Sequence, residues 1–344
     1  MKSEDLLLAL NDLDDDLIFD TVKKPARPKS IRRRLSTILI AAAIASTLAI
    51  TAFASKDGAS WFRSFFAQNS HLALTDSQEA YIGENTAQFQ QSQTKNGYTI
   101  SLESAFSDGV KTLIQLRVTA PENVPMALDR YTPGNWGNTD FLVNEVGETY
   151  FYSGGWDTID EDKTDNVVTL LYESDNFWYE KGIDQIFGHT WTLRFVGLRG
   201  RNKMTIENMD DPPEEQHITD GIWEFTIEFP ESGNETLEFI SEPTPCTVTH
   251  NFSAQGFIED TVTVTSLKVR ALSVALHFQH PKRDEINAYF DDIFAVMKDG
   301  SPVLMNPCYN SPNFQTFTFD APIVLDEVDH IFLPNGTKLY PATK

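Results

Sequence analysis

The chain has 344 residues, a formal net charge of −23 and two cysteines. This length allows two globular units beside a membrane segment, and two cysteines are too few for a disulfide framework in so long a chain. The first 34 residues hold eight basic and seven acidic residues, a net +1, so the remaining residues carry −24. Such an acidic surface repels phosphate groups, which excludes nucleic acid as a partner.

The first predicted element is a short amphipathic helix within residues 3–20. Its leucines recur at spacings of four, three and four, which forms one apolar stripe: Leu6, Leu10, Leu13 and Leu17. Ser3 is a suitable N-cap, and Glu4 and Asp5 suit the positive end of the helix dipole. A helix this short is marginal alone in water. The stripe therefore favours a helix that folds against a cytoplasmic protein partner, and a frayed acidic tail is the alternative.

A basic linker and an uncharged run follow the helix. Pro25 and Pro28 end any helix among the basic residues of 22–31. Residues 35–54 carry no charge and no proline and match the roughly 20 apolar residues of a membrane span. The larger side chains of the run are Leu35, Ile38, Ile44, Leu48, Ile50 and Phe53. Three arginines immediately before the run set the topology, because basic residues stay on the cytoplasmic side: Arg32, Arg33 and Arg34. We therefore expect a single-pass protein of the cell membrane, with the N-terminus inside and a large C-terminal part outside.

Signal-peptide cleavage is the alternative interpretation of the apolar run. Ala52-Phe53-Ala54 has the small-x-small pattern that precedes a signal-peptidase cut. A signal peptide, however, has a short basic region and an apolar region of about 7–15 residues. Here 34 patterned residues precede the run. We favour a retained anchor, and cleavage after Ala54 stays open.

Residues 55–95 are predicted to form a stalk. Four aromatic residues stand at its start and suit either the membrane interface or packing on an outer domain: Trp61, Phe62, Phe65 and Phe66. Asp76 and Glu79 resemble the first turn of a helix, which predicts a polar helix over residues 75–93. Its glutamine-rich end, residues 88–93, is expected to be exposed.

From residue 96 the pattern becomes that of strands. Residues 98–119 alternate on both sides of Asp108-Gly109, which predicts a hairpin. A second hairpin is predicted over 141–152, and strands over 167–172 and 190–198. These elements form a first β-sandwich-like unit, residues 96–200. Residues 201–220, which include Pro212 and Pro213, are predicted to be a linker.

Residues 221–344 are predicted to form a second unit that repeats the plan of the first. Residues 221–229 alternate as a strand with one buried face, and 261–279 parallel the first hairpin. Residues 293–305 turn at Asp299-Gly300, and Asn335-Gly336 closes a last hairpin. The predicted fold class is mainly β: a short inner helix, one transmembrane helix and an outer part of two β-sandwich-like units.

No motif predicts catalysis, so we expect a protein that is not an enzyme, with no cofactor and no metal. The chain lacks a GxSxG elbow, a Walker loop, an HExxH motif and a CxxC pair. The acidic loop 157–165 lacks the central glycine and final glutamate of an EF-hand, and a solvated loop is the preferred interpretation over a calcium site. Cys246 and Cys308 lie on the predicted outer side, where a disulfide between them is an open alternative.

Several stretches resemble a group of single-pass membrane proteins of Gram-positive bacteria. The resemblance rests on LLALNDLDDDLI at residues 7–18, on Asn96-Gly97-Tyr98-Thr99-Ile100, on Asp108-Gly109, on Ser266-Leu267 and on PIVLDEVDHIFLPNG at residues 322–336. It implies an outer domain of a family without a known function. It also implies a membrane-bound regulator of an extracytoplasmic-function sigma factor. Residues 1–34 contain no histidine or cysteine, unlike the zinc-containing anti-sigma type.

The sequence therefore leads to two expectations of function. The first is an anti-sigma-like regulator in which the leucine stripe binds a sigma factor inside the cell and the outer part senses an extracellular ligand or stress. The alternative is a ligand-binding or adhesion module that is anchored by residues 35–54 or secreted. The two differ in whether residues 3–20 are needed for function.

Overall fold

Strands dominate the part of the chain that the computed structural model describes, so the fold is mainly β, as the alternating pattern predicts. The described residues are 58–134, 141–144, 154–159, 162–175, 186–203, 213–239, 243–252, 256–279, 290, 293–311, 313–333 and 335–342. Neither α-helix within these ranges combines the length and apolar character that a membrane crossing requires. The predicted inner helix, basic linker and span lie outside the described residues.

Two helices precede the strands: α1, Gly58–Ser70, and α2, Asp76–Asn85. A capping box starts α2, because the Thr75 hydroxyl accepts from the Gln78 N–H while the Gln78 amide oxygen accepts from the Thr75 N–H. The predicted start of this helix at Asp76 is confirmed. The helix ends at Asn85, eight residues earlier than predicted, since the glutamine-rich stretch that follows is a strand.

The strands form two groups of sheets that follow one another along the chain. The first group contains β1 Thr86–Lys95, β2 Tyr98–Ser107, β3 Lys111–Thr119, β4 Arg130–Pro133, β5 Phe141–Asn144, β6 Gly154–Ile159, β7 Val167–Asp175, β8 Trp191–Arg201 and β9 Gln216–Ile227. The second contains β10 Leu237–Phe239, β11 Thr244–Phe252, β12 Gly256–Val269, β13 Ser273–Gln279, β14 Phe294–Met297, β15 Pro302–Leu304, β16 Asn306–Ser311, β17 Phe314–Thr318, β18 Val328–Phe332 and β19 Lys338–Leu339. Short 3-10 helices occupy Glu231–Asn234 and Leu325–Glu327. We call β1–β9 the first half and β10–β19 the second half.

The two halves pair their strands in the same order. In the first half, one sheet runs β1-β2-β3-β7-β6, and in the other β8 pairs with β4, β5 and β9. In the second half, β12-β13-β17-β16 repeats β2-β3-β7-β6, and β14-β18-β19 repeats β5-β8-β9. Each leading hairpin also has an irregular register at the same distance before its turn, at Glu103 in β2 and Thr265 in β12. The internal repeat predicted from the sequence is therefore visible in the strand order.

Each half has a hydrophobic core of its own. The first core joins side chains from both sheets of the first half, from Ile100 in β2 to Trp223 in β9. The second core does the same for the second half, from Phe239 in β10 to Leu339 in β19. Residues 58–344 nevertheless belong to one compact unit. Contacts outside these two cores therefore join the halves.

The turn dipeptides in the sequence correctly predict three hairpins. The hairpins at Asp108-Gly109, Asp299-Gly300 and Asn335-Gly336 form as predicted. The alternation in β9 is also confirmed, with Trp223 buried and Ile222 exposed. The predicted partner of β5 in residues 149–152 lies outside the described residues; among the described strands, β5 pairs with β8.

The segments predicted as stalk and linker differ most from expectation. In the predicted stalk, α1 and α2 pack against other elements, and residues 88–93 lie in β1, paired with β2. In the predicted linker, β9 begins at Gln216 and completes the first half by pairing with β8. The prolines at 212 and 213 suggested a boundary there. The pairing of β8 with β9 outweighs that local signal because it buries Trp223 and Phe225 in the first core.

Candidate functional site: the seam between the two halves

The two halves meet at the turns of their leading hairpins. Asp108 begins the turn between β2 and β3, and Arg270 begins the turn between β12 and β13. Both turns have the same closing bond, from the Asp108 N–H to the Lys111 carbonyl (3.2 Å) and from the Arg270 N–H to the Ser273 carbonyl (2.8 Å). Asp108 and Arg270 thus occupy equivalent positions of the repeat, and the repeat brings them together.

Asp108 is fully buried and binds both turns through its carboxylate. One oxygen, Oδ1, accepts from the backbone N–H groups of Val110 (2.9 Å) and Lys111 (2.8 Å) in its own turn. The other, Oδ2, accepts from the Leu272 N–H (2.9 Å) and the Ser273 hydroxyl (2.6 Å) of the second half. A buried carboxylate is costly unless hydrogen bonds replace its hydration. These four bonds supply that replacement, and two of them hold the halves together.

Arg270 makes the reciprocal contact from the second half. The residue is 6% exposed, and its guanidinium donates through Nη1 to the Asp108 carbonyl oxygen (2.9 Å) and to Asn234 Oδ1 (3.2 Å). Asn234 belongs to the 3-10 helix that connects the halves, and that helix lies close to the first turn. A Cβ at Gly233 would stand 2.6 Å from the Ser107 carbonyl oxygen, so only glycine fits there. We call Asp108, Asn234, Arg270, Leu272 and Ser273 the seam.

A third hydrophobic cluster covers the seam and takes side chains from both halves. Its members are Phe62 and Phe66 of α1, Ile82 of α2, Phe106, Leu113 and Leu171 of the first half, and Leu272 and Ala321 of the second. Phe62 and Phe66 stand one turn apart on α1 and both contact the ring of Phe106, with centroids 5.9 and 5.6 Å away. We call α1 and α2 the helical cap.

The helical cap also binds each half directly. The Gln78 side-chain amide donates to the Pro322 carbonyl oxygen of the second half at 2.7 Å. At the start of α1, a Cβ on Gly58 would lie 2.5 Å from Ser104 Cβ, so α1 begins in close contact with β2 of the first half. Of the two alternatives for the aromatic cluster, packing on the outer part is confirmed for Phe62 and Phe66, because both are buried in the fold.

Tyr81 of α2 lies beside the buried charges of the seam. Burial is the main cause that raises the pKa of its hydroxyl above the ordinary range, and the negative charges of Asp108 and Glu235 raise the pKa further. The positive charge of Arg270 acts in the opposite direction. Tyr81 therefore stays a neutral phenol while the helical cap is in place.

A second feature, the glutamine clamp, joins the two sheets of the first half. Gln91 in β1 donates its amide to the Thr226 carbonyl (2.5 Å) and accepts from the Thr226 N–H (2.9 Å). Gln93 makes the same two contacts with Glu224. Both partners lie on β9, whose other edge pairs with β8. Two side-chain amides thus make hydrogen bonds with β9 backbone groups that would otherwise be open to another strand.

The predicted site residues all lie outside the described residues. This applies to the partner-binding stripe, to the span and to the topology residues: Leu6, Leu10, Leu13, Leu17, Leu35, Ile38, Ile44, Leu48, Ile50, Phe53, Arg32, Arg33 and Arg34. No group of three or more metal-ligating side chains occurs among the described residues. Cys246 and Cys308 are both thiols; Cys246 is buried, which raises its pKa to about 11, and Cys308 is exposed.

Comparisons with known proteins add no function. No protein-family model matches the chain, and no curated protein matches it. A solved structure described as "The crystal structure of the conserved domain protein from Bacillus anthracis" is similar over 72% of this chain and 75% of that chain, with 11% sequence identity and a TM-score of 0.35. A likeness at that TM-score supports no conclusion about this protein.

Sequence reasoning missed the seam, although one signal for it was present. In the sequence, Asp108 is evident only as half of a turn signal, and Arg270 only as a member of residues 261–279, which parallel the first hairpin. The repeat itself pointed to them, because the two residues start equivalent turns of equivalent hairpins. One turn begins with a negatively charged residue and the equivalent turn with a positively charged one. This pair of opposite charges indicates that the two turns face each other.

Proposed function

We propose that this protein is a membrane-anchored, anti-sigma-like regulator that is not an enzyme. Residues 35–54 cross the cell membrane once, the N-terminus lies in the cytoplasm, and two sandwich-like units form the outer sensing part. The inner leucine stripe binds an apolar groove on a cytoplasmic partner, an extracytoplasmic-function sigma factor. The identity of that partner comes from the family resemblance.

The observation that carries the proposal is the order of signals in the first 54 residues. Four leucines on one helical stripe in a short segment favour a helix that docks on a partner over a frayed acidic tail. The three arginines and the uncharged run that follow favour an N-terminus inside the cell. Only three residues separate the predicted span from α1, whose buried Phe62 and Phe66 belong to the cluster that takes side chains from both halves. This short connection supports a role in which the outer part influences the inner segment.

The proposal is tested by crosslinking the full-length protein in its native cell and identifying what attaches to residues 1–34 by mass spectrometry. Recovery of a sigma factor is the expected result. The double variant Leu10→Asp with Leu13→Asp should reduce the recovered partner at least about tenfold, because two charges enter the apolar stripe. The matched control, Leu8→Asp with Asn11→Asp, adds the same two charges on the other side of the predicted helix and should leave recovery unchanged.

Two outcomes would contradict the proposal. One is equal recovery of the partner with the stripe variant and with its control. The other is a mature N-terminus at Ser55, which would mean that residues 1–54 are removed and that the secreted module is the correct alternative.

A further inference from the structure

The hydrophobic contacts between the two halves are separate from the cores inside each half. Each half keeps its own core, and the described side chains that pack across the two halves belong to the third cluster. Leu272 and Ala321 are the members that the second half contributes to this cluster. Withdrawing them from the cluster leaves the second core complete, because neither residue belongs to it.

The polar contacts of the seam are also separable. Asp108 Oδ1 stays bound by Val110 and Lys111 of its own turn whether or not the second half is present. Of the four bonds to the Asp108 carboxylate, the two of Oδ2, from Leu272 and Ser273, cross the seam, and Arg270 adds a bond across it to the Asp108 carbonyl oxygen. If the two turns separate, water can take the place of the two hydrogen bonds to Oδ2. A carboxylate that is hydrated in this way carries no desolvation penalty.

The helical cap holds this joint closed from outside both cores. Phe62 and Phe66 fix α1 to Phe106 of the first half, while Gln78 ties α2 to Pro322 of the second. Neither helix supplies a residue to the first or second core. Release of the cap therefore removes no member of either core.

We infer that the helical cap is a latch: it docks on the seam when the two halves are together and is released when they separate. This inference deepens the proposed function and rests on it for its biological meaning, because α1 begins three residues after the predicted span. A ligand or stress that separates the halves withdraws Leu272 and Ala321 from the cap. The released α1 is then the element that reports the state of the outer part to the membrane segment.

Hydrogen exchange of the full-length protein in detergent micelles tests the latch. Leu272→Ala removes a buried side chain from the third cluster, and we expect amides in α1 and α2 to exchange at least about tenfold faster while strands of both cores keep their protection. Leu276→Ala is the matched control: it removes the same side chain, also fully buried, from the second core four residues away. It should accelerate exchange in β13 and β17 and leave α1 and α2 unchanged.

A milder variant keeps the test valid if Leu272→Ala fails to fold. Gln78→Glu keeps an acceptor for the Thr75 N–H, so the capping box of α2 stays, but it removes the amide that donates to Pro322. We expect about threefold to tenfold faster exchange in the helical cap. The latch would be refuted if Leu272→Ala loosens the strands of the second core as much as the helices, or if both variants leave the helices unchanged.

Failure of the latch and failure of the proposed function are distinguishable, because exchange is measured without any partner. Crosslinking of residues 1–34 in cells with Leu272→Ala provides the link between them. A changed yield of the partner with Leu272→Ala, and an unchanged yield with Leu276→Ala, would support transmission through the cap. Equal yields with both variants, alongside the expected exchange, would leave a latch that does not control the inner segment and would overturn the reporting role.

Discussion

Tyr81 is the residue of the helical cap whose chemistry depends most on the seam. Its hydroxyl is half-buried near the carboxylates of Asp108 and Glu235, and burial and these charges raise its pKa. An unfolded tyrosine ionises at a pKa of about 10. The folded chain therefore retains the Tyr81 proton at a pH where the unfolded chain loses it.

This difference predicts a loss of stability in alkali. Above pH 10 the folded state binds more protons than the unfolded state, so the free energy of unfolding decreases as the pH rises. Tyr81→Phe removes that contribution and should lessen the loss between pH 9 and pH 11 by about 1 kcal/mol. Urea unfolding at both pH values measures it. Tyr340→Phe, at a side chain that is 56% exposed, is the control and should behave as the natural protein does; equal losses in all three proteins would refute the prediction.

At the scale of elements, β1 closes the edge of the first half in an unusual way. Its backbone pairs with β2, while the amides of Gln91 and Gln93 pair with the backbone of β9. An open strand edge is a template for association with other chains. The glutamine clamp thus joins two sheets and covers an edge at the same time.

The clamp predicts a specific loss of stability. Gln91→Ala with Gln93→Ala removes four hydrogen bonds at a partly exposed edge, where water replaces them in part, so we expect a loss of about 1–2 kcal/mol. Gln90→Ala changes an exposed glutamine of the same strand and should stay within about 0.5 kcal/mol of the natural protein. Urea unfolding measures both. If the two variants are equally stable, the amide bonds contribute nothing to the fold.

The elements that the sequence predicts correctly are those whose contacts lie close together along the chain. Hairpins at Asp108-Gly109 and Asn335-Gly336 were predictable because their turn residues and their alternation are local. The helix start at Asp76 was predictable for the same reason. The strand character of β1 was not, because its glutamines show no alternation of apolar and polar residues, and their partners on β9 are 131 to 135 residues away.

At the scale of the whole molecule, the seam decides whether the two halves unfold together. Its bonds join residues 162 to 165 positions apart, so no local pattern predicts them. The repeat was evident from the sequence, whereas the contact between its two copies, the helical cap and the placement of β9 required the structure. With the seam intact, two cores of one compact unit should behave as one cooperative system.

Asp108→Ala tests that cooperativity. The variant leaves the N–H groups of Val110, Lys111 and Leu272 without the carboxylate, so we expect a loss of about 3 kcal/mol and separate unfolding of the two halves. All six tryptophans precede the second half, so tryptophan fluorescence follows the cap and first half while far-ultraviolet circular dichroism follows both halves. The two urea transitions should coincide in the natural protein and separate in the variant.

Asp326→Ala, at an exposed carboxylate of the second half, is the control for this measurement and should keep coincident transitions. Transitions that also coincide for Asp108→Ala would mean that the seam does not couple the halves.

The equivalent positions of Asp108 and Arg270 carry a consequence for how such a chain can be rebuilt. A tandem of two first halves would bring two buried carboxylates turn to turn, and a tandem of two second halves would bring two buried guanidinium groups together. Either arrangement leaves like charges buried without compensation, which costs several kcal/mol. The repeat is therefore directional: a first half recognises a second half and rejects its own kind. The same selectivity disfavours association of two molecules through matching turns.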